Sequence, residues 1–152
     1  MATTCPFDRS FSLEQIKVAP NDIEIRIWNL PGLFISKTKC WVFERKDGEW
    51  KGITFIDPDF NGKIIKKRLD TPSTDWFKWD LYVNRDITPT NIREAQFDHA
   101  PQNDGMDVIV EVKFGNDYAN KYLIDGDVLL TNLFKMIKSE FFNNDQDTWS
   151  KN

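Results

Sequence analysis

The segment TDWFKWD, residues 74–80, carries the residues best suited to hold a ligand. Asp75 and Asp80 flank Trp76 and Trp79, so carboxylates lie beside indole rings, a combination that can bind a sugar or a peptide. A glycosidase would need the two acids about 5–10 Å apart in a cleft. On a helix, however, a spacing of five residues sets the carboxylates about 140° apart around the axis, so they would not converge. These four residues are therefore a candidate ligand or partner site and not a candidate catalytic pair.

The same two tryptophans have a simpler interpretation as core residues. On a helix Trp76, Trp79 and Val83 form one ridge, whereas on a strand Trp76 would face away from the other two. Burying indole rings stabilises a fold more than exposing them would, and large exposed apolar patches are uncommon. A helix would end before Pro89, because the residue before a proline disfavours helical backbone. We expect a short helix at about 74–84 whose rings serve as core, with a ligand platform as the alternative.

The segment DPDFNG at 57–62 matches the start of a calcium-binding EF-hand loop. Asp57, Asp59 and Asn61 would supply oxygen ligands, and a glycine follows at the sharp turn. The loop closes with a bidentate glutamate at its twelfth position, where this sequence has Arg68. A turn between two strands is the favoured interpretation, and a weak cation site is the alternative.

A thiol–imidazole pair would need His99, the one histidine, beside Cys5 or Cys40. Cys40 lies within a predicted strand, on the face of Val42 and opposite Trp41. The sequence has no nucleophile elbow, zinc-protease motif, phosphate-binding loop or dinucleotide-binding motif. A hydrolase built on the thiol or on an acid pair is therefore the least favoured class, and we expect no cofactor and no catalytic residue.

The charge balance argues against some partners. The chain has a net charge of −4, and its densest basic cluster is only Lys63, Lys66, Lys67 and Arg68. Nucleic-acid binding depends on neutralising phosphates, so no nucleic-acid partner is expected. A negative net charge would instead suit a basic protein partner through electrostatic steering.

The sequence leaves two alternatives for the cellular compartment. No stretch approaches the roughly 18 apolar residues of a transmembrane helix, and the start MATTCPFDRS lacks the basic and apolar regions of a signal peptide. We expect a cytoplasmic protein if this is the full chain, and a periplasmic or secreted one if a leader has been removed. Whether Cys5 and Cys40 form a disulfide stays open.

Hydrophobic periodicity predicts an antiparallel meander sheet of about six strands. In IEIRIWN, Ile23, Ile25 and Ile27 share one face, which is the pattern of a half-buried strand. Asp47-Gly48 lies between two β-rich runs and favours a type I′ hairpin turn. The predicted strands are 23–29, 39–46, 49–57, 63–69, 106–114 and 116–124.

After Asp127 the apolar residues recur at helical spacing, from Leu130 to Phe141. Asp127 can cap this helix, because a side-chain oxygen can accept a backbone N–H there. We expect an α+β fold of one domain, in which a C-terminal amphipathic helix at about 127–142 and the short helix at 74–84 cover the sheet. Residues 1–21 are predicted as an N-terminal arm, with Phe11, Leu13 and Ile16 docking on the core, and residues 143–152 as a frayed tail.

Several stretches carry a resemblance to known proteins: EIRIWN, GEWKG, STDWFKWDLYV, IVEVKF, NDYANKYLI and FKMIKSEFF. They cover roughly half of the chain and resemble small uncharacterised proteins of Bacteroidetes, which are often predicted to be secreted or lipoproteins. The resemblance implies a one-domain fold and a bacterial origin, and it assigns no activity and no functional residue. Such proteins often carry a leader, which the start of this sequence lacks.

These observations favour a non-catalytic binding or interaction protein, such as an immunity-type inhibitor or a periplasmic accessory protein. The alternative is a small-ligand carrier with an aromatic-lined cavity under a curled sheet. Of the candidate residues, Trp76, Trp79, Asp75 and Asp80 are those we expect to contact a partner if the rings are exposed.

Overall fold

The computed structural model describes residues 13–30, 38–57, 65–69, 71–95, 107–124 and 127–141. Within these ranges the chain forms six strands and three α-helices, and a 3₁₀ turn, Leu13–Gln15, precedes them. The strands are β1 (Ile23–Leu30), β2 (Thr38–Lys46), β3 (Glu49–Asp57), β4 (Ile65–Arg68), β5 (Asp107–Phe114) and β6 (Asp117–Ile124). The helices are α1 (Phe77–Asp86), α2 (Pro89–Glu94) and α3 (Val128–Phe141).

The strands join one antiparallel sheet in the order β4-β3-β2-β1-β5-β6. The first four strands form the predicted meander, and β5 returns to the other edge of β1, which therefore lies between β2 and β5. Asp47 and Gly48 both have positive φ, 54° and 82°, as a type I′ turn between β2 and β3 requires. The predicted α+β class is confirmed, and the strand boundaries lie within two residues of the predicted ones, except that predicted strand residues 63, 64 and 106 lie outside the described residues.

The helices cover one face of the sheet, hereafter the helix face. Ile23, Ile25 and Ile27 of β1 point to it and are at most 3% exposed. Their cross-strand partners lie on the same face, so Ile25 meets Phe43 of β2 and Val112 of β5. The rest of this core is Trp41, Trp79, Tyr82, Val83, Ile87, Ile92, Val108, Val110, Ala119, Leu123, Leu130, Leu133 and Ile137.

An aromatic cluster joins α1 to β2 and β3. The ring centroid of Trp79 lies 4.4 Å from that of Phe43 and 6.1 Å from that of Trp50. Gly52 pairs with Phe43 across the strands, and a Cβ there would lie 3.2 Å from the Phe43 ring and 2.9 Å from Leu69 Cδ1. The missing side chain at Gly52 therefore leaves room for the Phe43 ring.

Helix α1 begins later than the sequence predicts. Asp75 and Trp76 have positive φ, 51° and 72°, so the helix starts at Phe77 instead of at 74. Left-handed backbone is unfavourable for residues other than glycine. The Trp76 ring stacks on Trp50 with centroids 6.1 Å apart, and this tertiary contact helps to hold the unusual backbone in place.

Helix α2 is absent from the sequence prediction, which treats Thr88-Pro89 only as a stop signal. Helix α1 does end before Pro89, but a new helix starts there. Thr88 is its N-cap, because Thr88 Oγ1 accepts a hydrogen bond from the Asn91 backbone N–H at 3.2 Å. Proline is favoured at the first helical position, since the N–H that it lacks would be unpaired there anyway. The Thr-Pro pair therefore acts as a start signal as well.

Helix α3 confirms the predicted C-terminal helix, and Leu130, Leu133 and Ile137 bury its apolar stripe on the helix face. Its last turn also holds the residues that lead into α1. The Glu140 carboxylate accepts a hydrogen bond from the Thr74 backbone N–H at 3.1 Å, and Glu140 is only 4% exposed. The end of α3 thereby fixes the position of the segment before α1.

Candidate binding groove on the polar face of the sheet

The second face of the sheet, hereafter the polar face, carries charged residues at its centre. Glu24 and Arg26 of β1 lie opposite Lys113 and Glu111 of β5, so each acid faces a base across the strand pair. The four residues are between 4% and 7% exposed. Charged side chains are seldom buried unless they are paired. This face therefore differs from the solvated side of an ordinary amphipathic sheet.

Glu111 is the acceptor around which this centre is organised. Its Oε1 accepts hydrogen bonds from the Leu13 backbone N–H at 3.2 Å and from the Tyr118 hydroxyl at 2.8 Å. Its Oε2 accepts one from Trp28 Nε1 at 2.7 Å. These three donors satisfy a carboxylate that burial would otherwise destabilise.

Lys113 holds the other end of the 3₁₀ turn. Its Nζ donates hydrogen bonds to the backbone carbonyls of Glu14, at 2.9 Å, and Ile16. Glu111 and Lys113 thus hold the 3₁₀ turn at both of its ends, and Leu13 is fully buried. This segment covers the β5–β6 side of the polar face and leaves the β2–β4 side open.

On that open side the polar face forms a groove of about 290 Å³. Its apolar floor consists of Val42, Ile53 and Phe55, which β2 and β3 place side by side. The segment 16–19 forms one wall. Four lysines line the groove as well, and they are Lys17, Lys46, Lys51 and Lys66.

The groove carries more positive than negative charge. Glu44 contacts Lys51 at 3.5 Å and Lys46 at 3.8 Å, and both lysine side chains are about half exposed or more. Lys17 and Lys66 have no ion-pair partner within the part of the chain that the structure describes. At the floor Glu24 pairs with Arg26 at 2.8 Å, so those two charges balance. An anionic group would therefore be attracted to the lysines.

Burial raises the pKa of Glu24 above its ordinary value of 4.5, and the adjacent Arg26 counteracts that rise through its charge and its hydrogen bond. The net direction is upward because the loss of hydration outweighs one close cation. Glu24 therefore holds its proton more tightly in the folded chain than in the unfolded chain.

Cys40 lies in the same small apolar cluster as Val42 and Phe55, opposite Trp41, as the strand pattern predicts. It is a free, fully buried thiol, and burial raises its pKa well above the ordinary value. A thiol that stays protonated at neutral pH is a poor nucleophile. The other members of the predicted thiol–imidazole pair, Cys5 and His99, lie outside the described residues.

The four residues of the predicted ligand platform separate in the structure. Trp79 is fully buried, and Trp76 is half-buried and packs against the same core. The Asp80 carboxylate accepts hydrogen bonds from Trp50 Nε1 at 2.8 Å and from Arg45 Nη1 at 3.1 Å, whereas Asp75 is exposed in the turn before α1. Asp80 thus ties α1 to the β2–β3 hairpin.

The predicted calcium loop falls largely outside the described residues. Asp57 is the last residue of β3, and Asp59 and Asn61 lie in the following segment, which the structure does not describe. Among the residues that it does describe, no group of three or more histidine, cysteine, aspartate or glutamate side chains could hold a metal ion. The turn and the weak cation site at 57–62 both stay predictions.

The sequence pattern did not reveal the groove. When each strand is considered alone, the pattern predicts a solvent-exposed face for Glu24 and Arg26 of β1 and for Glu111 and Lys113 of β5. The sequence does contain a signal of the paired charges, because the order of acid and base in β1 matches that in β5. This match can be recognised only when β1 is known to pair with β5.

Comparisons with known proteins add no assignment: no family model, no curated protein and no solved structure matches this chain. The resemblance to small Bacteroidetes proteins therefore stays a prediction. In the described ranges, none of the helices combines the length and the apolar character needed to cross a membrane.

Proposed function

We propose that this chain is a non-catalytic binding protein that holds a segment of a protein partner in the groove of the polar face. The observation that carries the proposal is the apolar floor of Val42, Ile53 and Phe55 beside four lysines. Burying apolar side chains on such a floor supplies affinity, and the charged residues supply orientation and partner choice. An immunity-type inhibitor or a periplasmic accessory protein would act in this way, by occupying its partner.

The charges of the groove favour a partner segment that combines acidic and apolar residues. The described residues include as many basic as acidic residues. The net charge of −4, which suggests a basic partner, therefore arises from the rest of the chain. A basic partner would have to dock on another surface.

Selection from a displayed peptide library at low salt tests the proposal. We expect the enriched peptides to contain Asp or Glu next to Leu, Ile or Phe. Their affinity should fall roughly tenfold or more in the double variant Lys51→Glu/Lys66→Glu, because two attractive charges become repulsive. It should also fall with added salt.

The double variant Lys135→Glu/Lys138→Glu is the matched control, since it makes the same charge change at two exposed positions of α3. We expect it to bind the selected peptides as the wild type does. Failure to enrich any peptide, or equal binding by the groove variant and the wild type, would overturn the proposal.

A small-ligand carrier is the second candidate function, and the volume of the groove favours it. About 290 Å³ lies near the lower end of the range for small-molecule sites. The sequence predicts an aromatic-lined cavity, whereas Phe55 is the one aromatic side chain among the described residues that line this groove. Native mass spectrometry separates the two functions, because a bound metabolite supports the carrier and a clean protein mass supports the interaction protein.

A further inference from the structure

Strand β4 is one edge of the sheet, and no described strand lies on its outer side. In an antiparallel pair, residues that bond to the partner strand alternate with residues whose backbone groups point away from it. The Leu69 N–H donates to the Gly52 carbonyl at 2.9 Å, and these two residues continue the β3–β4 register, so this bond fixes the alternation. The backbone N–H and C=O groups of Lys66 and Arg68 therefore point outward.

These four outward groups have no hydrogen-bond partner in the part of the chain that the structure describes. All the residues of β4 are also exposed. Unpaired backbone groups at a sheet edge are a template for one further strand, because donors and acceptors alternate along the edge. An extended peptide offers the matching alternation, whereas a phosphate chain offers acceptors only. The edge therefore suits a peptide segment.

The side chains of β4 determine which segment fits. Lys66, Lys67 and Arg68 are exposed and have no ion-pair partner among the described residues. Lysine on an edge strand usually discourages pairing, and two copies of β4 side by side would bring these like charges together. The charges therefore oppose self-association through this edge and favour an acidic segment. Exposed ion pairs add little affinity each, so the charges select the partner while the backbone bonds hold it.

Strand alternation also sets the order of residues in that segment. Lys66 and Arg68 pair with Phe55 and Ile53 of β3, which belong to the floor of the groove, so their side chains lie on the polar face. An added antiparallel strand would place two acidic residues, two positions apart, opposite this lysine and arginine. Ile65 is apolar yet 53% exposed, and its side chain lies on the other face, where an apolar residue of the segment would cover it.

We propose that β4 binds an extended acidic segment of a protein partner as an additional antiparallel strand of the sheet. The backbone of the segment pairs with Lys66 and Arg68, and its acidic side chains meet the side chains of the same two residues. This site adjoins the groove, since Lys66 also lines the groove. The groove binds through side chains, whereas β4 binds through its backbone. The inference therefore goes beyond the proposed function and can hold where that function fails.

Titration of the ¹⁵N-labelled chain with the peptide Ac-Thr-Glu-Thr-Glu-Val-Thr-NH₂, followed by two-dimensional NMR, tests the proposal. Its two glutamates match Arg68 and Lys66, and its valine matches Ile65. The added strand is short, so we expect a Kd on the order of millimolar and chemical-shift changes at backbone amides of 65–68. Exchange of the Lys66 and Arg68 amide protons with water should slow about twofold at half saturation, because the bound strand accepts hydrogen bonds from them.

Two N-methylated peptides separate backbone pairing from charge on the unmodified protein. A methyl group on the nitrogen of the second glutamate removes the N–H that donates to the Lys66 carbonyl, so the Kd should rise about tenfold. The same methyl group on the threonine between the glutamates lies on the outer side of the added strand and should change the Kd by less than about twofold. A peptide with lysine in place of both glutamates should not bind at low salt, because β4 repels it.

A proline substitution makes the same test on the protein. Lys66→Pro lacks the outward N–H but keeps the β3–β4 bonds, because that N–H does not point to β3. We expect it to raise the Kd of the acidic peptide about tenfold. Lys66→Gln keeps the N–H and loses only the charge, so it should raise the Kd about threefold. Circular dichroism checks that both variants fold, and the N-methylated peptides give the same comparison on the wild type.

The proposal is overturned if the acidic peptide leaves the amides of 65–68 unshifted, or if amide exchange at Lys66 and Arg68 stays unchanged. It is also overturned if both N-methylated peptides bind equally, or if the lysine peptide binds as tightly as the acidic one. Lys17→Glu changes the groove wall outside β4 and should leave the Kd of the acidic peptide unchanged. This variant therefore separates a failure of the groove from a failure of the β4 edge.

Discussion

The two faces of the sheet are buried by different means. On the helix face, hydrocarbon and aromatic side chains of β1, β2 and β5 meet the apolar sides of three helices, and eighteen of the described residues form one core cluster. On the polar face, Glu24, Arg26, Glu111 and Lys113 are almost as inaccessible, yet what covers part of that face is a short N-terminal segment held by hydrogen bonds. The helix face is stabilised by contact area, whereas on the polar face the pairing of charges offsets part of the cost of burying them.

Strand alternation therefore determines which side chains share a face. Whether solvent reaches that face depends on the segment that covers it. Leu13 and the residues after it cover the β5–β6 side of the polar face, and residues 16–19 of the same segment form one wall of the groove. The groove is therefore the part of the polar face that the described N-terminal segment leaves uncovered.

The largest effect on stability should come from the helix face. Trp79→Ala removes a fully buried indole that contacts Phe43 and Trp50, so we expect the free energy of unfolding to fall by about 3–5 kcal/mol. Urea denaturation followed by circular dichroism measures this change. Phe77→Ala, on the same helix but 67% exposed, is the control and should cost less than about 0.5 kcal/mol. Equal losses would mean that Trp79 is not part of the core.

A smaller loss should follow from breaking the centre of the polar face. Glu111→Ala leaves the Leu13 N–H, Trp28 Nε1 and the Tyr118 hydroxyl without their acceptor, so we expect a loss of about 2–3 kcal/mol. Amide hydrogen exchange should show loss of protection at Leu13 while β1 stays protected. Glu49→Ala, at an exposed position of β3, is the control. Unchanged exchange at Leu13 would show that Glu111 does not hold the N-terminal segment.

The subtlest difference between the faces is a dependence on pH, because the apolar core of the helix face does not titrate. Since burial raises the pKa of Glu24 above 4.5, the folded state binds this proton more tightly than the unfolded state. The contribution of Glu24 to the free energy of unfolding is therefore largest below pH 4.5 and is lost as the pH rises through the folded pKa.

Glu24→Gln does not titrate at this position, so the stability of the wild type minus that of Glu24→Gln should decline as the pH rises from 4.5 through the folded pKa of Glu24. Urea denaturation of both proteins over that range measures the decline, and other acids cancel in the difference. A difference that rises with pH would mean that Arg26 outweighs burial at Glu24.

Much of the fold follows from local patterns. The alternation of Ile23, Ile25 and Ile27, the Asp47-Gly48 turn and the apolar stripe of α3 each depend on neighbouring residues, and each matches the structure. The start of α1 is different, because the left-handed backbone of Asp75 and Trp76 accompanies a tertiary contact with Trp50. No local pattern contains that contact.

The candidate site was less predictable, because long-range pairing creates it. The acid–base pairs on the polar face require β1 and β5 to be neighbours, and Leu13 and Glu111 are 98 positions apart. The floor of the groove lies on β2 and β3, and it stays uncovered because the N-terminal segment lies over the β5–β6 side of the sheet. Trp79 of α1 lies in the core of the helix face, and Trp76, just before that helix, packs against this core. The sequence favours this interpretation over a ligand platform.

The central position of β1 has a consequence for how the molecule is made. Trp28 and Glu111 are neighbours in space but 83 positions apart in the chain, so closing the β1–β5 pair is slow compared with forming the β1–β4 meander. During that interval one side of β1 exposes a row of unpaired peptide groups, which can recruit the same strand of another molecule. Refolding yield should accordingly drop as protein concentration rises, even though the finished sheet keeps β1 in its interior.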